Sequence, residues 1–124
     1  MLSRFLFVKV NKIELLLIAL GAILGAVIRF QAQNNFLVNI VGAAFLGFLS
    51  ACSLRSNYQL FLGVGFCGAL TTFSGWIVNA FELLLDGFWK DALTLVGSTL
   101  GFGLGAAAIG YWIGRRINWK GLSR

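Results

Sequence analysis

The chain has 124 residues, 59% of them hydrophobic and 11% charged, with a mean hydropathy of +0.88 and a formal net charge of +6. A soluble domain averages about 45–50% apolar and about 25% charged, so this single domain cannot cover itself with polar surface and reads as an integral membrane protein. Histidine is absent, only four carboxylates exist, and Cys52 and Cys67 lie inside apolar runs unlike a metal site; hydrolytic, redox and metal chemistry are poorly supplied, and an enzyme is not expected.

Residues 1–12 are basic and read as a cytoplasmic tail rather than a signal peptide, because three further spans follow and no A-x-A site does. A bilayer core of roughly 30 Å takes about 20 apolar residues as helix. Residues 13–30 form the first such run, with Glu14 at its start and Arg29 at its end; residues 36–54 form the second, without a charge. Residues 60–85 form a third run that is longer than a bilayer requires and polar in its middle, and residues 92–113 form an uncharged fourth. The connections are short and the runs do not alternate as barrel strands would, so the expected fold is an all-α membrane protein of four transmembrane helices in one domain, 1–124.

Four spans put both termini on one face together with the second loop. That face carries Arg4, Lys9, Lys12, Arg55, Arg115, Arg116, Lys120 and Arg124, against Arg29 and Lys90 on the other. Lys and Arg are enriched in cytoplasmic loops, so the bias predicts a multi-pass protein of the cell (inner) membrane with both termini cytoplasmic. Charges spread around helix ends form no continuous patch, and nucleic acid is not an expected partner. Tyr58, Trp89, Tyr111, Trp112 and Trp119 fall near predicted interfaces, where amphipathic rings are favoured, whereas Trp76 sits deep in the third span.

Small residues recur at four-residue spacing: Gly21 and Gly25, Ala43 and Gly47, then Gly97, Gly101 and Gly105 before Gly110 and Gly114. Lipid gives no hydrophobic drive between helices, so close backbone approach supplies packing, either within one subunit or across a dimer face. Four helices leave little room for an aqueous path, so a transporter or channel of this length is expected to work as an oligomer.

The third run holds Gly63, Gly65, Gly68, Thr71, Thr72, Ser74 and Gly75 at mid-membrane depth. Glycine costs a helix roughly 1 kcal/mol relative to alanine, and Ser and Thr offer the backbone other partners. Together they predict a break, with a tightly packed kink as the alternative. Irregular backbone at this depth must be buried in protein or line a cavity, and freed carbonyls there can hold a cation.

Four segments resemble the Fluc (CrcB) family of fluoride channels: Gly21-Ala-Ile-Leu-Gly-Ala-Val-Ile-Arg-Phe30, Val38-Asn-Ile-Val-Gly42, Gly65-Phe-Cys-Gly-Ala-Leu-Thr-Thr-Phe-Ser74, and the glycine-rich fourth span. The resemblance implies an antiparallel dimer with two fluoride pores, which relieves the toxicity of fluoride by letting it leave the cell. It also implies a structural sodium ion at the dimer centre, bound here by the backbone carbonyls of Gly68 and Thr71. Phe73 matches the family's first pore phenylalanine, where the positive edge of a ring faces the anion; core packing is its other reading. Asn39 supplies an amide donor to the pore or an interhelical hydrogen bond. Ser74 matches a hydroxyl along the ion path, and Ser98, with Thr94 one turn before it, continues that path on the fourth helix. Arg29 matches an arginine that gathers anions at a vestibule, or it snorkels to the interface.

The match has departures. Gly75 and Trp76 stand where the family has Thr and a second pore Phe, and Asn79 stands where an acid is frequent. The larger Trp76 is expected to narrow one of the two pores. The strong charge bias predicts a fixed orientation, hence a heterodimer with an oppositely oriented paralogue. Two other readings remain: a small proton-coupled multidrug exporter, which needs Glu14 or Glu82 as a membrane carboxylate, and a non-transporting helper subunit.

Overall fold

The computed structural model describes residues 11–122, with side chains described through residue 117. Arg4, Lys9 and Arg124, and the side chains of Trp119 and Lys120, lie outside that part. Every element among the described residues is helical. Helix α1 spans Lys12–Ala32 and α2 spans Asn35–Ala51. The third span, α3, opens with the turn Ser56–Tyr58, widens into the π-helix Gln59–Cys67 and closes with Gly68–Leu70. The chain then breaks at 71–73 and resumes as α4, Ser74–Leu85, followed by α5, Trp89–Leu122. Three stretches, Lys12–Ala32, Ser56–Leu85 and Trp89–Ile117, are long and apolar enough to cross a membrane; α2 is apolar but has only 17 residues.

Local chemistry sets the ends. The Glu14 carboxylate accepts the Asn11 backbone N–H at 3.1 Å and starts α1; the Asn34 side chain accepts the Leu37 N–H at 3.0 Å and starts α2. Apolar sequence continues to Leu54, but α2 stops at Ala51 because a tight turn, Leu54 N–H to Cys52 C=O at 2.9 Å, redirects the chain. Gly87, at φ +84°, terminates α4: Phe88 N–H reaches Leu83 C=O at 2.8 Å and Gly87 N–H reaches Leu84 C=O at 3.2 Å, the paired bonds of a Schellman end. The connection expected over 86–91 therefore shrinks, and α5 begins at Trp89. Beyond the expected limit at 113, α5 continues through Arg115 and Arg116, with the Arg116 guanidinium 4.2 Å from the Trp112 ring one turn back.

The spans pair by backbone contact. A Cβ on Gly21 or Gly25 of α1 would collide with the Phe61 or Phe66 carbonyl of α3, and one on Gly65 would meet Ile18 of α1. Gly47 of α2 lies against the Ala107 carbonyl of α5, and Gly110 and Gly114 lie against Ala44 and Phe48 of α2. Thus α1 packs on α3, α2 packs on α5, and α4 leans on α5. By contrast, Gly97, Gly101 and Gly105 face open space: among the described residues nothing lies within 4 Å of a Cβ added there.

The break is where the expected interruption occurs, with one difference. The glycines at 63 and 65 stay helical, in π geometry, and the gap falls on Thr71-Thr72-Phe73. Thr71 is extended, with φ −79° and ψ 150°. In an unbroken helix the Thr72 N–H would bond to Gly68 C=O; instead Asn39 Oδ1 accepts it at 2.6 Å, while Asn39 Nδ2 donates to Thr72 C=O at 2.8 Å. The Thr72 hydroxyl accepts the Gly75 N–H at 3.1 Å and caps α4. The Thr71 hydroxyl donates back to Cys67 C=O at 2.9 Å, and its methyl occupies the space over Gly42, three residues beyond Asn39 on α2.

Two outcomes follow for stability. Gly110→Ala places a methyl on the Ala44 carbonyl and should lower the thermal midpoint of the detergent-purified protein, by about 1–3 kcal/mol of overpacking, whereas Gly97→Ala leaves the subunit fold intact. Asn39→Ala orphans both polar groups of the Thr72 peptide at a cost of about 1–3 kcal/mol each, so it should destabilise the fold by more than Gly110→Ala in the same melt.

Candidate functional site

A cavity of about 260 Å³ opens beside the break, between α2, the start of α4 and α5. Asn39, Thr71, Thr72, Phe73, Trp76 and Thr99 line it. Three of the expected pore residues, Asn39, Phe73 and Trp76, therefore meet in one place. Phe73 is 69% exposed and Trp76 6%, and their rings pack edge-on with centroids 5.0 Å apart and planes at 78°. Trp76 thus backs Phe73, and Phe73 is the ring turned outward.

Asn39 is committed to the Thr72 peptide, as the interhelical reading anticipated, but not completely. Its Nδ2 carries two N–H groups and gives one to Thr72, so a second donor remains beside the cavity. The other expected hydroxyls lie apart. Ser74 is exposed, 3.5 Å from the Thr72 hydroxyl, and does not line the cavity. Ser98 is half-buried and its single proton goes to the Thr94 carbonyl at 2.6 Å, with Leu95 C=O at 3.2 Å; Thr94 bonds in turn to Lys90 C=O at 2.9 Å. Arg29 stands at the last turn of α1, away from the cavity, where its charge favours the helix C-terminus.

Thr99, the residue after Ser98, is the hydroxyl that sequence reasoning passed over. It is only 6% exposed, it lines the cavity, and its Oγ1 has no hydrogen-bond partner among the described residues. A buried unpaired hydroxyl costs about 1–3 kcal/mol, so its presence asks for a reason other than stability. The neighbouring Ser-Thr pair gave a signal of polarity but not of direction, because one step along a helix turns about 100°.

Gly75, one of the departures, also finds a local reason. An added Cβ would come within 2.7 Å of the Asn35 amide nitrogen at the start of α2, so the missing side chain at 75 makes room for that amide.

A second cleft, of about 430 Å³, lies on the other side of the break between α2 and α3, and Gly68 and Thr71 border it together with Ser50 and Cys67. Gly68 has open space beyond its Cα. Its carbonyl has lost the Thr72 N–H to Asn39, and the extended Thr71 turns its own carbonyl off the helix axis. Backbone oxygens released this way are the donor type a sodium ion takes, so the residues named for the structural sodium fit it. Glu14 and Glu82 border neither cleft, and Glu14 is held at the mouth of α1.

The sequence itself matches known proteins. The profile described as "CrcB-like protein, Camphor Resistance (CrcB)" covers residues 16–111. A Prochlorococcus marinus (strain MIT 9313) protein named fluoride-specific ion channel FluC 2 is 50% identical over 111 residues, 90% of each chain. A protein named FluC 1 from another strain of Prochlorococcus marinus is 45% identical over 84% of each chain. FluC 1 of Listeria monocytogenes serovar 1/2a (strain ATCC BAA-679 / EGD-e) is 36% identical over 82% of this chain and 98% of its own. The profile runs from α1 through the break to α5, and on that breadth the chain belongs to the CrcB family.

Proposed function

We propose that this chain is a subunit of a passive, fluoride-selective anion channel that lets fluoride leave the cell. The observation that carries the reading is the cavity at the break, where an outward ring, a spare amide N–H and an unpaired buried hydroxyl converge. A bare anion in hydrocarbon is very costly unless donors replace its water. Hydroxyl and amide protons do so directly, and a ring edge carries partial positive charge. No carboxylate stands in either cleft to carry a proton, so the exporter reading has no acid to work with.

The working unit in this proposal is an antiparallel dimer, with fluoride and membrane lipid as its partners, in the cell (inner) membrane. The open face of α5 at Gly97, Gly101 and Gly105 suits close approach of a second subunit. Structural sodium would be held at the dimer centre by the Gly68 and Thr71 carbonyls of each subunit, fixing the two breaks against each other. The charge bias of the loops favours one orientation with both termini cytoplasmic, hence a heterodimer with an oppositely inserted paralogue. Relatives named both FluC 1 and FluC 2 are in keeping with paired chains.

Fluoride efflux from proteoliposomes, with this chain alone and with its paralogue, tests the reading directly. The assembled complex should pass fluoride and exclude chloride, and Phe73→Ile should slow fluoride by up to about tenfold, the rate equivalent of losing one aromatic contact of about 0.5–1.5 kcal/mol. No fluoride flux from the assembled complex would sink it. Thr99→Val offers a sharper outcome, because its two effects have opposite signs. Removing an unpaired buried hydroxyl should raise the thermal midpoint, and removing a donor from the path should lower fluoride flux; a variant equally active would take Thr99 out of the pore.

A further inference from the structure

We propose that the cleft between the start of α3 and α1, rimmed by Arg55, Asn57 and Tyr58 and floored by Leu17 and Phe61, holds the phosphate headgroup of an anionic membrane lipid. The cleft measures about 370 Å³. Its rim stands where the chain leaves α2 at Ala51 and enters the apolar stretch that begins at Ser56, which is the level of the bilayer surface for a chain spanning this way.

Three observations point to such a ligand. First, Arg55, Asn57 and Tyr58 all line the cleft, and their side chains make no hydrogen bond or ion pair among the described residues. Second, Arg55 forms no ion pair among the described residues: Glu82, Asp86 and Asp91 flank the α4–α5 connection at the far end of the bundle, and Glu14, at the same end as the cleft, does not line it and accepts the Asn11 N–H. Third, the floor is apolar: Leu17 comes from α1 and Phe61 from the π-helical part of α3. A free phosphate ion gains nothing from that floor, whereas a phospholipid seats its headgroup on the rim and its first acyl carbons below. Guanidinium matches phosphate in a bidentate fork, and a tyrosine hydroxyl is favoured at headgroup level. Basic pockets between spans are a recurrent setting for anionic lipid.

The test is native mass spectrometry of the purified assembled protein with phosphatidylglycerol and phosphatidylcholine of matched chains. The unaltered protein should retain phosphatidylglycerol preferentially, and Arg55→Gln should cut that preference about fivefold, the weight of one cation near a membrane surface. Lys90→Gln, at the opposite end, should leave it unchanged, and excess inorganic phosphate should not displace the lipid. An unaltered preference in Arg55→Gln, an equal loss in Lys90→Gln, or displacement by phosphate alone each overturns the site. Should Arg55→Gln not purify, Tyr58→Phe removes only the rim hydroxyl: a smaller but measurable loss supports the site and no loss overturns it.

Discussion

The fold turns on one requirement: in a bilayer, every backbone N–H and C=O must find a partner inside the protein. Three residues at 71–73 leave the helical ladder, and side chains take up the Thr72 groups and the start of the next helix. Asn39 holds both polar groups of the Thr72 peptide, the Thr72 hydroxyl caps α4, and the Thr71 hydroxyl returns to Cys67. Because Asn39 belongs to α2, this repair also fixes how deep α2 sits against the third span. Gly42 lies three residues on, on the same helix face, and admits the Thr71 methyl. The asparagine and glycine of that segment therefore act as one clamp, and the cavity beside Phe73 exists because the clamp holds the break open.

The glycines divide the bundle into closed and open faces. Those at 21, 25, 47, 65, 110 and 114 meet partner backbone, while those at 97, 101 and 105 meet nothing among the described residues. One sequence rule covers both sets, so small residues four apart do not say which helix they approach. A clue does lie in the spacing. From 97 to 105 the interval is four, but from 105 to 110 it is five, and five residues turn a helix by about 140° from its starting face. Gly110 and Gly114 therefore look toward α2 while the earlier three look away. The open three leave a stripe that a bilayer alone would not select, since lipid gains nothing from a missing side chain.

How far the sequence could be read follows from which forces are local. Apolar runs announce spans, and charges and turn residues bound them, so the helical order was legible. The presence of a break was legible too, from small and hydroxylated residues in a run without proline. Which residues of that stretch leave the helix was not. Gly63 and Gly65 are the weaker helix formers, yet Gly65 is pinned against Ile18 of α1 and remains helical, while the hydroxyls of Thr71 and Thr72 offer local substitutes for helical bonds. The role of Ser98 against Thr99 was illegible for another reason. Helix α5 carries small residues on several faces, so no apolar stripe marks which side meets the cavity.

Asn39 and Thr99 show how such a site divides its labour. The fold satisfies almost all the polarity the break releases, which gives rigidity, and a rigid break presents its remaining donors at fixed positions. What it leaves unsatisfied in the cavity is little: one hydroxyl, one amide proton and the edge of a ring, while the Gly68 and Thr71 carbonyls are released on the side of the other cleft. A dense set of donors would bind an anion and keep it, whereas conduction requires binding strong enough for entry and weak enough for release. On that argument the spareness of the cavity suits passage rather than storage. The unpaired Thr99 is then a stability cost that the subunit tolerates because the Asn39 clamp has already secured the break.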